Sequence, residues 1–432
     1  MNTKKRIKII SACILCAAIL LPAYGQEKGY TADECRQMAL EHNARIKNAK
    51  NNLMGAEQTR QEAFTHYFPT VSASGMGYNA DKGTAYMALA PGMEMSLLKN
   101  GIAGSVTATQ PVFAGGRIVN GNKLAKVGIE VSKLQLEQSE NEVELTSEQY
   151  FWQVVSLQEK IKTVATVDTM LQRLCKDVEV AVNAGLVTRN DLLQVQLKRN
   201  EMESTRINLE NNLAVCKMLL AQYTGMPDSV DFTLSADVQW DTLPSLPTEL
   251  YRDPSASLDL TPEYRLLQEN VKANKLQQKI EIGKNLPEVG VGVGYMYHNL
   301  LDNDRSFSMV FASVSIPISG WWGGSHAIKR QRLQVRNAEN DLTDKSEMLV
   351  IRMQKAWIDV EDAYKQLGVA GKSIEQSAEN LRLNNEYYKA GTTKMSDLLD
   401  AQTLYQQSRD KYVDAYSACR IKTTEYLQAT GR

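Results

Sequence analysis

Four histidines occur, His42, His66, His298 and His326, and none stands at a metal-ligand spacing from a cysteine or another histidine. Gly290, Gly292 and Gly294 read G-x-G-x-G, which is not the dinucleotide fingerprint, and the residues after them are strand-like and loop-like rather than helical. Asp302-Asn303-Asp304 lacks the downstream glutamate of a calcium loop and reads as an exposed turn. Cys13-Ile14-Leu15-Cys16 has the spacing of a redox or metal motif but lies inside an N-terminal apolar run. No nucleophile, base and oxyanion donors assemble, so the expectation is no enzyme, no cofactor and no metal. Among the acids, Asp397 and Asp400 stand three apart and therefore on one face of a helix. Such acids either stabilise a helix start through its dipole or present a negative field to ions.

The 432 residues carry 49 Lys+Arg against 50 Asp+Glu, a balance that gives no positive field for nucleic acid. The chain begins with Lys4-Lys5-Arg6-Ile7-Lys8, an apolar run from Ile9 to Leu21, then Ala23-Tyr24-Gly25, the three regions of a secretory signal with cleavage expected after Gly25. Ile10-Ser11-Ala12-Cys13 is similar to a lipoprotein box, but the apolar run before it is too short and the one after it too long. Cys35, Cys175, Cys216 and Cys419 are widely spaced without a disulfide framework and read as buried free thiols. After the leader no 18 uninterrupted apolar residues occur, so a membrane would have to be crossed by strands.

The elements that position Asp397 and Asp400 are duplicated. Ala184-Gly185-Leu186-Val187-Thr188-Arg189-Asn190-Asp191-Leu192-Leu193 returns 206 positions later as Ala390-Gly391-Thr392-Thr393-Lys394-Met395-Ser396-Asp397-Leu398-Leu399. Pro111 maps onto Pro317, and Pro111 to Gly185 and Pro317 to Gly391 both span 74 positions. Between them, Arg117 to about Asn183 and Ser325 to about Lys389 keep an apolar stripe of alternating three- and four-residue steps, as in Leu349, Met353, Ala356, Val360, Ala363 and Leu367. At 1.5 Å per residue each helix extends roughly 100 Å, too long for a globular core. Gly185 and Gly391 end them, and a helix of about 35 residues returns from each, giving two antiparallel hairpins.

Upstream of each long helix the periodicity changes. Thr31 to Tyr67 and Pro262 to Asn285 read as helices, with Thr31 and Thr261 as N-caps and Asn43 as the one break signal. After Pro69 and Pro287 come two-fold patterns, clearest in Val289-Gly290-Val291-Gly292-Val293-Gly294-Tyr295, where one face is apolar and the other nearly empty. Phe68 to Tyr78, Ile102 to Phe113, Val289 to Tyr297 and Ser306 to Ile318 read as four strands in two hairpins, with Asn79 to Asn100 and His298 to Arg305 as connections. Pro69, Pro111, Pro287 and Pro317 are read as strand–helix junctions. Trp321 and Trp322 at one of them fit either ordinary packing or an aromatic belt at a bilayer surface.

Four strands cannot close a membrane barrel, since the smallest have about eight and open edges in lipid leave backbone groups unpaired. The expected fold is therefore mainly α with membrane β. Duplicated long antiparallel helical hairpins would form a trimeric α-barrel, and four strands per chain would complete a shared twelve-stranded β-barrel. The expected domains are a signal peptide at 1–25, a first repeat at 26–226, a linker at 227–260 running as a belt beside the helices, and a second repeat at 261–432.

With Gln110-Pro111-Val112-Phe113-Ala114-Gly115-Gly116-Arg117 before the first long helix and two A-G-x5-D-L-L segments in matching order, the mature chain resembles outer-membrane efflux proteins of the TolC type. The resemblance implies a homotrimeric duct in outer-membrane lipid, continued through the periplasm to a periplasmic adaptor protein and an inner-membrane pump of the RND or ABC type. It implies adaptor docking at Gly185, Leu186, Val187, Gly391 and Thr392, and a gate containing Asp397, Asp400, Asp191 and Tyr388. The arginine often found two places after the second glycine is Thr393 here, with Lys394 or Arg189 as substitutes. A periplasmic coiled-coil adaptor is the runner-up; it would carry one hairpin flanked by compact β domains.

Overall fold

The computed structural model describes residues 29–81, 85–91, 93–97, 100–226, 232–236, 238, 240, 244–299, 304–318 and 320–432. The expected leader, with Cys13, Cys16 and the Ile10 to Cys13 tetrad, lies outside the described residues, as do Pro227 of the linker and Asp302-Asn303.

Helix α1, Ala32–His42, opens on a reciprocal box: the Thr31 amide donates to Glu34 Oε2 (2.9 Å) and the Glu34 amide donates to Thr31 Oγ1 (3.2 Å). The expected single helix is in fact two. Asn43 takes an extended conformation and its side chain accepts from the Arg45 amide, so it caps a new helix, α2, Ala44–Thr65. Strands β1, Thr70–Asn79, and β4, Asn100–Ala114, follow, with a separate hairpin of β2, Ala85–Ala90, and β3, Met93–Leu97, between them. That hairpin corrects the reading of Asn79 to Asn100 as a plain connection.

Long helix α3, Arg117–Asn183, and its return α4, Arg189–Thr224, complete the first half. The second half holds the one-turn helix α5, Pro254–Ser257, then α6, Pro262–Gly283, with Thr261 accepting from the Tyr264 amide as its cap. Strands β5, Glu288–His298, and β6, Arg305–Ser315, precede α7, Gly320–Lys389, and α8, Met395–Ala429. Among the described residues no helix is long and apolar enough to cross a membrane.

The chain forms two compact units, each drawing on both sequence repeats. One takes residues through Glu41, Thr146–Pro244 and Gly368–Ser417; the other takes His42–Leu145, Ser245–Leu367 and Ala418–Arg432. The first is helical. Phe151, Trp152, Tyr412 and Tyr416 fill its core, with Trp152 edge-on to Tyr416 at 5.7 Å, and each such burial contributes about 2 kcal/mol. Its linker residues lie against these helices: Trp240 stacks on Tyr412 at 5.1 Å, and the Arg409 guanidinium covers the other ring contact at 4.3 Å from the Trp240 centroid.

Within the second unit the four main strands form one antiparallel sheet in the order β1-β4-β5-β6, so the two hairpins are joined through β4 and β5. Register places Val71 opposite Ala108, Val106 opposite Tyr295 and Val293 opposite Val310, and Val71, Val106, Val293, Tyr295 and Val310 are all exposed. The opposite face is mixed: Ser72 hydrogen-bonds Thr107 (3.0 Å) and Ser74 hydrogen-bonds Ser105 (2.8 Å), while register puts Met76 of β1 and Phe307 and Met309 of β6 on the same side. It is not empty at β5, because the Phe311 ring lies over Gly292, where a Cβ would come within 2.4 Å of the ring.

Pro287 and Pro317 flank strands as expected, but Pro111 sits inside β4 opposite Gly290, next to an irregularity in register. A proline lacks the ladder donor, and the bulge beside it absorbs that loss. At the true junction, Gly115 has φ 60° and its Cα faces the Gly283 backbone so closely that a Cβ would fall 2.2 Å from the Gly283 oxygen. That approach brings Arg117 within 2.7 Å of Glu288.

Candidate functional site

The two glycine turns have the same construction. Gly185 and Gly391 both take φ 71°. The Gly185 amide donates to Val182 O and the Leu186 amide to Ala181 O, while the Gly391 amide donates to Tyr388 O and the Thr392 amide to Tyr387 O, all at 2.9 Å. These paired bonds satisfy the last carbonyls of each long helix and need a left-handed residue between them. A side chain other than glycine would raise the local cost by about 1 kcal/mol.

Both turns stand over one core. Val178, Val195, Leu381, Met395, Leu398 and Leu399, from the ends of α3 and α7 and the starts of α4 and α8, form a single buried cluster, with Val187, Leu192 and Tyr388 packed against it. Leu186, at 79 % exposure, points away from that cluster. The turns are thus rigid at the base and apolar at the outer edge.

The acids at these turns begin helices. Asp191 Oδ2 accepts from the Thr188 amide (3.1 Å) and hydroxyl (2.8 Å), and the Asp191 amide donates back to Thr188 Oγ1 (3.3 Å). Asp397, its counterpart, accepts from the Thr393 hydroxyl (2.9 Å) and the Lys394 amide (3.3 Å). These bonds, the Thr393 hydroxyl foremost, hold the Asp397 carboxyl below its usual range. Lys394 therefore reaches the acid through its main-chain amide, and Thr393 through its hydroxyl. Arg189 makes no hydrogen bond or ion pair among the described residues. Asp397 and Asp400 are exposed, one turn apart on α8.

Tyr388 is half-buried, and its hydroxyl is shielded without a hydrogen-bond partner. Burial pushes its pKa up, and the negative charge of Asp191 pushes it further, so these two residues from different hairpins lie within electrostatic reach without a hydrogen bond. A groove of about 570 Å³ opens beside Tyr388, floored by Met170, Leu174, Leu381 and Leu398.

At the strand–helix junction, Trp321 Nε1 donates to Asn285 O (2.9 Å), whereas Trp322 is 80 % exposed. Cys35, Cys175, Cys216 and Cys419 are free, with Cys35, Cys216 and Cys419 buried; burial pushes the Cys35 and Cys419 thiols to about 12. Among the described residues no group of three His, Cys, Asp or Glu side chains could hold a metal ion.

The Thr188–Asp191 capping box escaped the sequence reading although Thr188-x-x-Asp191 carries the same signature as Thr31-x-x-Glu34, which the reading did find. The Trp240–Tyr412 stack and the Arg409 contact left no local signal, since 172 positions separate the two rings.

Solved structures share this fold. The outer membrane protein VceC of Vibrio cholerae is 12 % identical, with a TM-score of 0.76 over 93 % of this chain and 96 % of that one. The Campylobacter jejuni CmeC outer membrane channel is 15 % identical, with a TM-score of 0.78 over 93 % and 85 %. The open state of the Neisseria gonorrhoeae MtrE outer membrane channel is 16 % identical, with a TM-score of 0.76 over 93 % and 88 %. No curated protein sequence matches. At these identities the likeness speaks for the fold, with its helical hairpins and four-stranded sheet. The family model described as outer membrane efflux protein matches residues 35–226 and 257–432, nearly the whole mature chain, and the chain belongs to that family.

Proposed function

We propose that this protein is the exit duct of a tripartite efflux or type I secretion system, a passive channel set in the outer membrane and extending into the periplasm. The observation that carries this reading is the sheet. It exposes Val71, Val106, Val293, Tyr295 and Val310 along one face, and its outer strands β1 and β6 each have a partner on one side only. Unpaired backbone groups cost several kcal/mol each in lipid, so the sheet needs further strands, and three copies supply about twelve, enough for a closed barrel.

The same threefold arrangement gives the tips their proposed roles. Asp397 and Asp400 from three copies form a ring of carboxylates that favours cations, and Tyr388 and Asp191 hold neighbouring hairpins in the closed state. Gly185, Leu186, Val187, Gly391 and Thr392 meet a periplasmic adaptor, which links the duct to an inner-membrane pump of the RND or ABC type. Trp321 and Trp322 belong to an aromatic belt at the periplasmic side of the barrel. Residues 26–226 and 261–432 act as paired repeats, and 227–260 acts as the belt that ties the helices.

A periplasmic adaptor is disfavoured by the two hairpins, the paired strands and the family match. Cysteine pairs placed at the outer edges of β1 and β6, such as Ser74→Cys with Phe311→Cys, test the assembly: they should link copies into a covalent trimer in outer-membrane fractions. Absence of any intermolecular product at several registers, with the protein folded, would remove the shared barrel.

A further inference from the structure

Charge is segregated at the starts of both long helices. From Arg117 to Ile129 the basic residues are Arg117, Lys123 and Lys126; from Gly320 to Ala338 they are Lys329, Arg330, Arg332 and Arg336; neither stretch contains an acid. This occurs in a chain whose formal net charge is -1. Arg117 pairs with Glu288, but Lys123, Lys126, Lys329, Arg330, Arg332 and Arg336 make no ion pair among the described residues. The 206-residue offset puts Lys123 on Lys329 and Lys126 on Arg332, so both halves carry the arrangement.

These cations share faces with exposed aromatic rings. On α7, Trp322, Lys329, Arg332 and Arg336 stand seven, three and four residues apart, which places them along one side of the helix, and all four are exposed. Lys329 lies about 10 Å along the axis from Trp322, two helical turns away. In the first half, Arg60, Phe64 and Tyr67 of α2 and the segment after it line one groove of about 620 Å³ with Lys123 and Lys126. Phe64 is exposed and edge-on to Tyr67 (5.6 Å) and Phe68 (5.5 Å), just before β1 begins. In the adjoining groove, the acids are Glu57 and Glu130, and Glu130 is already held by Lys133 at 2.9 Å.

Aromatic side chains gather at the headgroup level of a bilayer, and unpaired cations two or three helical turns beyond them, with side chains tilted back toward the helix N-terminus, face the lipid phosphates. A solvated face would be expected to mix its charges, as the rest of these helices do. We propose that Arg60, Lys123 and Lys126 in one half, and Lys329 and Arg332 in the other, form a collar that binds the phosphate headgroups of anionic lipids in the periplasmic leaflet. The proposal rests on the outer-membrane reading and adds the class of lipid and the residues that select it. Bound headgroups would fix the depth of the barrel at its helical neck.

The test uses the full mature protein in vesicles of phosphatidylcholine containing a minor fraction of phosphatidylglycerol. Lipids that stay with the protein after gentle extraction are weighed by mass spectrometry. Wild type should retain phosphatidylglycerol about five-fold above its bulk fraction, and the K123Q/K126Q/K329Q/R332Q variant should retain it at the bulk fraction. A control that neutralises Lys162, Lys198, Lys355 and Lys365, all ion-paired, should keep the enrichment. If the fourfold variant does not fold, K123Q/K126Q and K329Q/R332Q alone must each lose part of it. Enrichment unchanged in these variants, bulk-level retention by wild type, or displacement of the lipid by equimolar inorganic phosphate would overturn the collar. Insertion of every variant into pure phosphatidylcholine would leave the outer-membrane reading standing while the collar fails; refusal of wild type to insert anywhere would sink both.

Discussion

The Thr393 hydroxyl donates to the Asp397 carboxylate across 2.9 Å, so the acid assigned to the gate also starts helix α8. The Lys394 amide adds a second bond to the same oxygen. The two roles are compatible, because an acid with a lowered pKa stays ionised in a ring of like charges longer than a free one would.

Asp397→Asn should loosen the tip in a pH-dependent way. Its carboxyl is depressed in the folded state, so its contribution is complete above the unfolded value of about 4 and is lost as pH falls through the lower folded value. Hydrogen exchange of the Lys394 to Leu398 amides, corrected for intrinsic rates, should be faster in the variant at pH 7 and equal to wild type once Asp397 is protonated. Equal protection at pH 7 would contradict the cap.

Asp397→Asn combined with Asp400→Asn should lower cation selectivity in planar bilayers while leaving the barrel intact. The two side chains are exposed and one turn apart, which suits a shared field. Reversal potentials in a salt gradient report the change; identical potentials for both proteins would rule out the ring.

Gly391→Pro should abolish export. The position has φ 71°, and its amide donates to Tyr388 O, both beyond the reach of proline. The barrel strands lie elsewhere in the chain, so the variant should still reach the outer membrane. Wild-type drug tolerance in such cells would count against tip docking.

Asp410→Asn should stabilise the protein, and more so near neutrality than in acid. Burial raises the Asp410 carboxyl to about 6, against the pull of Lys160, and its Oδ1 has no hydrogen-bond partner. Lys160 instead meets Asp414 at 2.8 Å, and Arg409 lies over the Trp240 ring. Between pH values of about 4 and 6 the folded protein binds more protons than the unfolded chain, so stability falls as pH rises. The melting temperature of the variant should exceed that of wild type by a margin that grows across this window; a deficit at pH 7 would refute it.

Much of this architecture is visible in the sequence because its signals are local and repeated. Gly185 and Gly391, Thr261-Pro262 and the Val-Gly alternation of β5 each act within a few residues of where they stand, and duplication repeats the glycine turn. The β2–β3 hairpin was missed, although Pro91-Gly92 marks a turn between two short runs. Asn43 shows a different limit: the residue signals a break, yet only its extended backbone and its bond to Arg45 decide that the break occurs. At the tips the family resemblance points to Asp191 and Tyr388, while their approach across two hairpins depends on packing that brings together residues 197 positions apart. The stack of Trp240 on Tyr412 is of the same kind.

The mass of the mature protein extracted from outer membranes in mild detergent, measured by native mass spectrometry, tests the shared barrel most directly. The account predicts a particle of three chains that conducts ions when returned to a bilayer. A stable single chain that stays in solution without detergent would contradict it.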